Sequence, residues 1–488
     1  MKKGNYTIFP LTFKRFTDSN VLLVNVSGEY LFLDEEHFNS FLNGTLNTNS
    51  DIFYNLESKQ FLAHEDIDLA EDLLAVKLRT RKSFLKEFTS LHMIVLTCGC
   101  NCRCAYCQTS SLAPDDSKMH MTRKTAARVV EIIFQTPSPE IKIEFQGGEP
   151  TLNWDILTFI VRYAEKINAK YTRKKLNFVV CTNLVSITDK MLKFFKKHHI
   201  MISSSLDGPR DIHDMYRICR DGSSGYSHFV ENLKRVRQFL GKDSCSPLIT
   251  MTRYHLPHLR KIVDEYIGLD FDGIFLRPVN PYGFAVDQWD KIACPIDDFV
   301  KAYKDILDYI IQINRDGFHF TEYYTMLLLT RILTPFSTGF VDLQSPTGAG
   351  ISGVIYDYDG NVYPTDEGRM LARRGNQRFL LGNVHSNTFN EIFGGSVLRN
   401  LVSKSILEVL PGCNCCVYQA YCGSDPVRYY VECGDVMGHR PTSDFCKKNM
   451  AIFDHLFSFI IKDDTSIMNV FWSWITGRDL KDIEDELL

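Results

Sequence analysis

The chain has 488 residues, of which 44% are hydrophobic and 23% are charged, and its formal net charge is -4. This composition is that of a globular protein with roughly two or three domains, and the slight acidic balance argues against nucleic-acid binding. No apolar run approaches the roughly 18 residues of a membrane span, so no membrane segment is expected. Fifteen cysteines without an apolar leader segment favour a reducing cytoplasm, and metal ligation over disulfides.

The first unit, residues 1–86, is predicted to be a small α+β domain. Residues 20–25 and 29–33 have the pattern of a β-hairpin, and helices are expected from Asp34 and over residues 67–78. A hairpin followed by helices resembles the small winged-helix elements that bind leader peptides in peptide-modifying systems, where the peptide is added as a strand. A structural cap on the next domain would explain the same elements.

The second unit, residues 87–318, alternates strands with helices. Strands are predicted at 91–97, 141–146, 177–182, 200–205, 247–252 and 273–278, and helices at 122–136, 153–169, 186–198, 226–240, 256–267 and 297–314. This alternation predicts a parallel sheet with helices outside it. Chemistry is then expected at the carboxyl ends of the strands.

The loop after the first of these strands is rich in cysteine. Cys100, Cys104 and Cys107 have CxxxCxxC spacing, in a loop too short for a disulfide framework. Three thiolates suit an iron–sulfur cluster with one open iron, and a zinc knuckle built from the same thiols is the alternative. Cys98 and Cys102 fall outside the spacing and are interpreted as bystanders.

The second strand ends in Gly147-Gly148-Glu149-Pro150. CxxxCxxC after one strand and GGEP after the next resemble the radical S-adenosylmethionine (SAM) enzymes, and a zinc knuckle would not explain GGEP. The resemblance implies a partial (β/α)6 barrel. It also implies that Cys100, Cys104 and Cys107 hold a [4Fe-4S] cluster whose open iron binds the amino and carboxylate groups of SAM.

The same resemblance implies a set of SAM contacts at the strand ends. They are Tyr106, Gly147, Gly148, Glu149, Pro150, Asn183, Ser205 and Arg217. The glycines allow close backbone approach. Glu149 belongs to the region of the methionine amino group, Asn183 and Ser205 to the ribose, Arg217 to the carboxylate and Tyr106 to the adenine. Turn chemistry and surface ion pairing are the structural alternatives for the polar ones.

The third unit, residues 319–450, contains a predicted hairpin at 353–364 and a second cysteine group. The group is Cys413, Cys416, Cys422 and Cys446. It resembles the SPASM-type extension of peptide-modifying radical SAM enzymes, which implies one auxiliary [4Fe-4S] cluster closed by four cysteines. A second auxiliary cluster is not expected, because Thr365 and Pro426 stand where that family usually has cysteine. A structural zinc site is the alternative.

The tail, residues 451–488, is amphipathic and predicts helices that pack on the barrel or dock a partner. Stretches at 79–82, 144–150, 365–370 and 421–426 also recur in the His-Xaa-Ser system radical SAM maturases of the B type. That resemblance implies a ribosomally made precursor peptide and a second radical SAM protein of the same system. An external electron donor of flavodoxin or ferredoxin type is also expected as a partner.

The implied reaction is reductive cleavage of SAM to a 5′-deoxyadenosyl radical, which abstracts hydrogen from the peptide. One alternative is a radical SAM enzyme with another substrate. That substrate could be a sulfatase, as in the anaerobic sulfatase-maturases, or RNA; the missing second auxiliary cluster argues against the sulfatase-maturase type, and the acidity argues against RNA. The other alternative is a non-catalytic metal-binding scaffold that recruits a peptide to a partner enzyme.

Overall fold

The computed structural model describes residues 2–3, 5–86, 88–114 and 119–485. The strands are β1 (Lys2–Lys3), β2 (Tyr6–Ile8), β3 (Leu11–Arg15), β4 (Asn20–Asn25), β5 (Tyr30–Asp34), β6 (Leu62–Ala63), β7 (Leu91–Thr97), β8 (Glu140–Gly147), β9 (Lys175–Cys181), β10 (Ile200–Ser205), β11 (Cys245–Leu248), β12 (Gly273–Ile274), β13 (Thr321–Glu322), β14 (Gly353–Tyr356), β15 (Asn361–Tyr363) and β16 (Gly382–Asn383). The helices are α1 (Glu35–Asn43), α2 (Asp51–Ser58), α3 (Ile67–Arg81), α4 (Arg123–Ile133), α5 (Trp154–Ile167), α6 (Asp189–Lys197), α7 (Arg210–Tyr216), α8 (Gly225–Leu240), α9 (Leu259–Gly268), α10 (Trp289–Ile292), α11 (Ile296–Arg315), α12 (Tyr323–Leu333), α13 (Asp366–Arg373), α14 (Phe389–Phe393), α15 (Ser396–Ser403), α16 (Pro426–Cys433), α17 (Asp444–Ile460), α18 (Thr465–Thr476) and α19 (Leu480–Asp485).

The main sheet has eight strands in the order β11-β10-β9-β8-β7-β14-β15-β16. Every neighbouring pair from β11 to β14 is parallel, and the last two pairs are antiparallel. The βα alternation predicted from the sequence is therefore the observed architecture. Parallel order requires a crossover between successive strands, and α4, α5, α6 and α8 supply these on one face of the sheet.

Side chains on the inner strands alternate between two environments. On β8, Ile141, Ile143 and Phe145 are fully buried in the core, whereas Glu144 and Gln146 are only partly buried. Successive side chains of a strand point to opposite faces, so the second set lies on the face away from that core. This concave face of the sheet, called the lumen below, therefore carries polar side chains.

The edge strands differ from the prediction. The strand expected at 273–278 contains only the two residues of β12, which pair with β13 in a separate sheet, and a single parallel bridge joins Met251 to Pro278. This bridge is formed by the N–H of Met251, which donates to the carbonyl of Arg277 at 2.8 Å, and by the N–H of Val279, which donates to the carbonyl of Met251 at 2.8 Å. At the other edge, β14 of the C-terminal extension pairs with β7, so the extension completes the main sheet.

The N-terminal unit has two small sheets, β3-β4-β5 and β1-β2-β6, and its own core around Phe41 and Leu56. Its attachment depends on Arg81, whose buried guanidinium donates to the carbonyl of Arg331 at 2.8 Å and to that of Gly28 at 3.2 Å. The stretch at 79–82 thus fastens this unit to α12.

The tail forms α17, α18 and α19. Phe457, Phe471 and Trp474 are buried in the same core as residues of α11 and α12. The helices therefore pack on the barrel, as one of the two sequence alternatives predicts. None of the helices in the described residues combines the length and apolarity needed to cross a membrane.

Candidate functional site

The cysteine loop after β7 is held by backbone hydrogen bonds. The N–H of Cys98 donates to Met119 at 3.1 Å, that of Cys100 donates to Leu112 at 3.0 Å, and that of Leu112 donates back to Cys98 at 2.8 Å. These bonds tie the loop to the segment before α4. The loop that carries the three predicted ligands is therefore held in place just after the end of β7.

Cys100, Cys104 and Cys107 line one cavity of about 280 Å³ at the carboxyl ends of the parallel strands. The Cys107 sulfur accepts from the N–H of Ser111 at 3.4 Å, and the Cys100 sulfur accepts from the N–H of Cys102 at 3.4 Å. Such N–H···S bonds are the kind that tune cluster thiolates. Burial raises the pKa of Cys104 to about 12, so a bound cation is needed to hold it as a thiolate.

Six of the eight predicted SAM contacts line this cavity: Tyr106, Gly147, Gly148, Asn183, Ser205 and Arg217. Gly147 has φ +144°, and a Cβ on Gly148 would lie 2.3 Å from the carbonyl oxygen of Gly99. Both glycines therefore allow the end of β8 to pack against the cysteine loop, in addition to any approach to a ligand.

Glu149 is buried beside the cavity, and its carboxylate is used by the chain itself. One oxygen accepts from the hydroxyls of Thr151 at 2.6 Å and Thr182 at 2.8 Å, and the other accepts from the N–H of Asn183 at 2.8 Å. Burial raises the pKa of this carboxyl, and these hydrogen bonds oppose the shift. Glu149 thus links the ends of β8 and β9, and its contact with the amino group of SAM stays a prediction, as does the role of Pro150.

Arg217 reaches the cavity wall in a buried ion pair. Its Nε donates to Asp207 at 2.8 Å, the hydroxyl of Tyr106 donates to the same carboxylate oxygen, and the N–H of Thr250 donates to the other oxygen at 3.1 Å. Burial is the largest single influence and acts to raise the pKa of Asp207, but the charge of Arg217, the two nearby histidines and the hydrogen bond from Tyr106 together outweigh it, and the pKa is lowered. From the sequence, Asp207 is interpreted as an ordinary turn residue. In the structure its carboxylate holds Tyr106 and Arg217, two of the predicted SAM contacts, in place.

Asn183 and Ser205 lie at the ends of β9 and β10, as the sequence predicts. The Asn183 amide donates to Asn101 at 2.7 Å, which ties it to the cysteine loop. Other residues of the wall were not predicted as SAM contacts; they include Gln146, Cys181, Thr182, Ser203, Thr250, Asp366 and Met370. Positions near strand ends, and the family-like stretches 144–150 and 365–370, are the signals that could have identified some of them.

The second cysteine group surrounds a separate cavity of about 640 Å³. Its wall includes Cys413, Cys416, Cys422, Cys446 and also Cys415. Arg440 donates from Nε to the sulfur of Cys413 at 2.9 Å, and Asn449 donates to the sulfur of Cys422 at 3.6 Å. A cationic donor beside a thiolate suits a negatively charged cluster.

The two positions that lack the usual family cysteine are used to begin helices. The Thr365 hydroxyl accepts from the N–H of Gly368 at 3.1 Å and caps α13, and Pro426 is the first residue of α16. Across the described ranges, no group of three or more His, Cys, Asp or Glu side chains is placed to hold a single metal ion. The cysteines of each group line one cavity.

The family model described as the radical SAM superfamily matches residues 94–265. The chain carries a radical SAM domain. It is an enzyme, and a [4Fe-4S] cluster and SAM are its cofactors. The match begins within β7, continues past β11, and includes the loop with Cys100, Cys104 and Cys107, whose assignment as cluster ligands stays a prediction.

The chain is also similar to one curated relative and to two solved structures. A cysteine-type anaerobic sulfatase-maturating enzyme of Clostridium novyi (strain NT) is 25% identical over 345 residues, covering 67% of this chain and 85% of the relative. The structure of native anSMEcpe with bound AdoMet has a TM-score of 0.64 and 20% identity, covering 76% of this chain and 98% of that one. Streptococcus suis SuiB bound to the precursor peptide SuiA has a TM-score of 0.53 and 15% identity, covering 91% and 100%.

These comparisons extend the fold beyond the radical SAM domain. The two solved structures show that the α/β sheet with its extensions has close counterparts in fold. The relative from Clostridium novyi is a sulfatase-maturating enzyme. The expected lack of a second auxiliary cluster argues against assigning this chain to the same type. None of the three proteins named here is a His-Xaa-Ser system maturase, and that finer assignment stays a prediction.

Proposed function

We propose that this enzyme is a maturase that modifies a ribosomally made peptide by radical chemistry. The observation that carries the proposal is the single cavity that joins Cys100, Cys104 and Cys107 to Tyr106 and Arg217 at the carboxyl ends of the parallel strands. When bound, the reduced cluster and SAM supply a carbon radical that removes a hydrogen atom from the substrate.

The chain's own residues prepare this cavity. The three cysteine thiolates would hold the cluster, and the bonded set of Asp207, Tyr106 and Arg217 holds an aromatic ring and a cation on the wall. Gln146 and Ser203 add polar groups from the lumen side. A peptide backbone offers the donors and acceptors that such a wall binds, and one structural neighbour, SuiB, is bound to a precursor peptide.

A peptide also fits the N-terminal unit. A groove of about 520 Å³ lies between α2, β6 and α3, with Leu69 and Leu73 exposed along it. β6 is the edge strand of the sheet β1-β2-β6, so its outer side offers unpaired backbone groups to an added strand. Acidic residues of the groove (Glu57 and Glu65) favour a leader with basic residues next to apolar ones.

The second cysteine group, Cys413, Cys416, Cys422 and Cys446, supports one auxiliary [4Fe-4S] cluster. Four thiolates would close the coordination of such a cluster, which favours electron transfer or structure over substrate ligation. A second radical SAM protein and a flavodoxin- or ferredoxin-type donor, the partners implied by the His-Xaa-Ser resemblance, stay predictions.

The proposal is tested by anaerobic reconstitution with iron and sulfide, followed by SAM and dithionite. Wild type is expected to bind roughly eight irons and to release 5′-deoxyadenosine, and Cys104→Ala to keep roughly four irons and release none. Cys102→Ala is the matched control, because this loop cysteine lies outside the ligand spacing. Equal 5′-deoxyadenosine from Cys104→Ala, or iron lost equally in both variants, would contradict the assignment.

Leader binding is tested separately with peptides encoded beside the gene. Leu73→Glu is expected to weaken binding of the cognate peptide, measured by fluorescence anisotropy. Val76→Glu is the control, since Val76 is 53% exposed on the same helix but lies outside the lining of the groove in the described structure. Equal weakening by both changes would locate the peptide elsewhere.

A further inference from the structure

One cysteine of the barrel faces the radical SAM cavity without belonging to either cluster motif. On β9, Phe178 and Val180 are buried in the core, and Cys181 follows them on the opposite face of the strand. Cys181 pairs in register with Ser203 of β10, and both line the cavity with Cys100, Cys104 and Cys107. Its thiol therefore lies in the space where the cluster and SAM belong.

The surroundings keep this thiol protonated. Its S–H donates to the Glu144 carboxylate at 3.3 Å, and Glu144 also accepts from the side-chain amide of Gln146 at 2.6 Å. Burial, and then the negative charge of Glu144, raise the pKa of Cys181 well above its ordinary value. A neutral thiol carries a hydrogen atom that it can give up, whereas a thiolate is a nucleophile and a metal ligand.

We propose that Cys181 is a catalytic residue that donates a hydrogen atom to a carbon radical in this cavity. The S–H bond is weaker than an aliphatic C–H bond, so the transfer is favourable. The S–H bond breaks, a C–H bond forms, and Cys181 is left as a thiyl radical. One electron from the external one-electron donor and one proton, passed through Glu144, then restore the thiol.

This inference rests on the proposed radical function and specifies the class of modification that the enzyme makes. If Cys181 returns a hydrogen atom to the peptide radical, the peptide neither gains nor loses hydrogen overall. The modification is then redox-neutral, of the class that inverts a stereocentre, and the new hydrogen comes from a solvent-exchangeable S–H. A serine at this position would keep the hydrogen bond to Glu144, but its O–H bond is too strong to donate a hydrogen atom.

The test uses the loaded full-length enzyme in D2O with SAM and dithionite and without peptide, so that the adenosyl carbon radical is the probe. Mass spectrometry measures both the amount of 5′-deoxyadenosine and its deuterium content. Wild type is expected to give the singly deuterated product, and Cys181→Ser to lose that label. Cys245→Ala, which removes a thiol buried in the core outside this cavity lining, is the control that keeps it.

SAM binding to the oxidised, loaded protein is measured by calorimetry in parallel, where no turnover occurs. Unchanged affinity in Cys181→Ser supports hydrogen donation, whereas weakened SAM binding would give Cys181 a positioning role and overturn the proposal. Unlabelled product from wild type, or equal label in Cys181→Ser, would also overturn it. Failure of the radical function itself is distinguished by the amount, since wild type would then make no 5′-deoxyadenosine.

Discussion

The buried ion pair on the cavity wall is the most sensitive point for a test of the structure. Asp207→Asn keeps the size of the side chain and can still accept from the N–H of Thr250. Its amide nitrogen, however, would face the Nε of Arg217 and the hydroxyl of Tyr106, so that donors would meet donors. The substitution also leaves the guanidinium without its counter-charge.

The size of the effect follows from burial. Removing one partner of a buried pair costs about 3–5 kcal/mol. The Asp207 side chain is 0% exposed, but that of Arg217 is 16% exposed and can turn toward the cavity, which favours the lower end of this range. About 3 kcal/mol corresponds to a lowering of the thermal midpoint by about 6–12 °C for a domain of this size.

Thermal unfolding of the cluster-free protein, followed by tryptophan fluorescence, measures this midpoint. The matched control is Asp211→Asn, because the Asp211 side chain is 61% exposed in an ion pair with Lys261. An exposed pair contributes about 0–1 kcal/mol, so the control is expected to change the midpoint little. If Asp207→Asn shifts the midpoint no more than Asp211→Asn, the reasoning from burial is wrong.

Gly148→Ala is expected to lower the iron content after reconstitution, because the new Cβ would lie 2.3 Å from the carbonyl oxygen of Gly99. The control, Gly268→Ala, places its Cβ with no neighbouring atom within 4 Å in the described structure and should keep the iron content. Equal iron in the two variants would contradict this reasoning. Burial lowers the pKa of His92 to about 3, so the unfolded chain binds a proton that the folded one does not as the pH falls below about 6.5. This should cost about 2 kcal/mol of stability by pH 5, and His92→Phe should flatten the change in unfolding midpoint between about pH 7 and pH 5. Arg440→Gln is expected to lower the midpoint potential of the auxiliary cluster, measured by spectroelectrochemistry in a Cys104→Ala background, because it removes a positive charge beside Cys413. Arg440→Lys should retain most of the potential, and an unchanged potential in Arg440→Gln would show that this charge does not act on the cluster.

Arg440 also illustrates how the auxiliary site is prepared. Its two terminal nitrogens are buried, and neither has a hydrogen-bond partner within the part of the chain that the structure describes. The guanidinium stacks on the ring of Tyr429 at 4.4 Å and bonds the Cys413 sulfur. Buried donors without partners are costly, so these nitrogens fit a negatively charged group in the adjacent cavity.

The sequence determined the features that depend on local spacing. Alternation of strands and helices predicted the parallel sheet, because each periodicity is a property of consecutive residues. The spacing of Cys100, Cys104 and Cys107 predicted a cluster loop, and the structure places all three on one cavity. The C-x2-C-x5-C group with Cys446 was readable in the same way, although Cys446 is distant in sequence.

Tertiary structure alone decided the contacts between distant strands. Asp207 meets Tyr106 across 101 positions, and Cys181 meets Glu144 across 37, through strand register that no local pattern encodes. The short sixth strand at one edge of the main sheet and the addition of β14 beside β7 at the other likewise depended on which distant segments meet there. Chemistry carried by neighbours in sequence could therefore be predicted, whereas chemistry carried by neighbours in space required the fold.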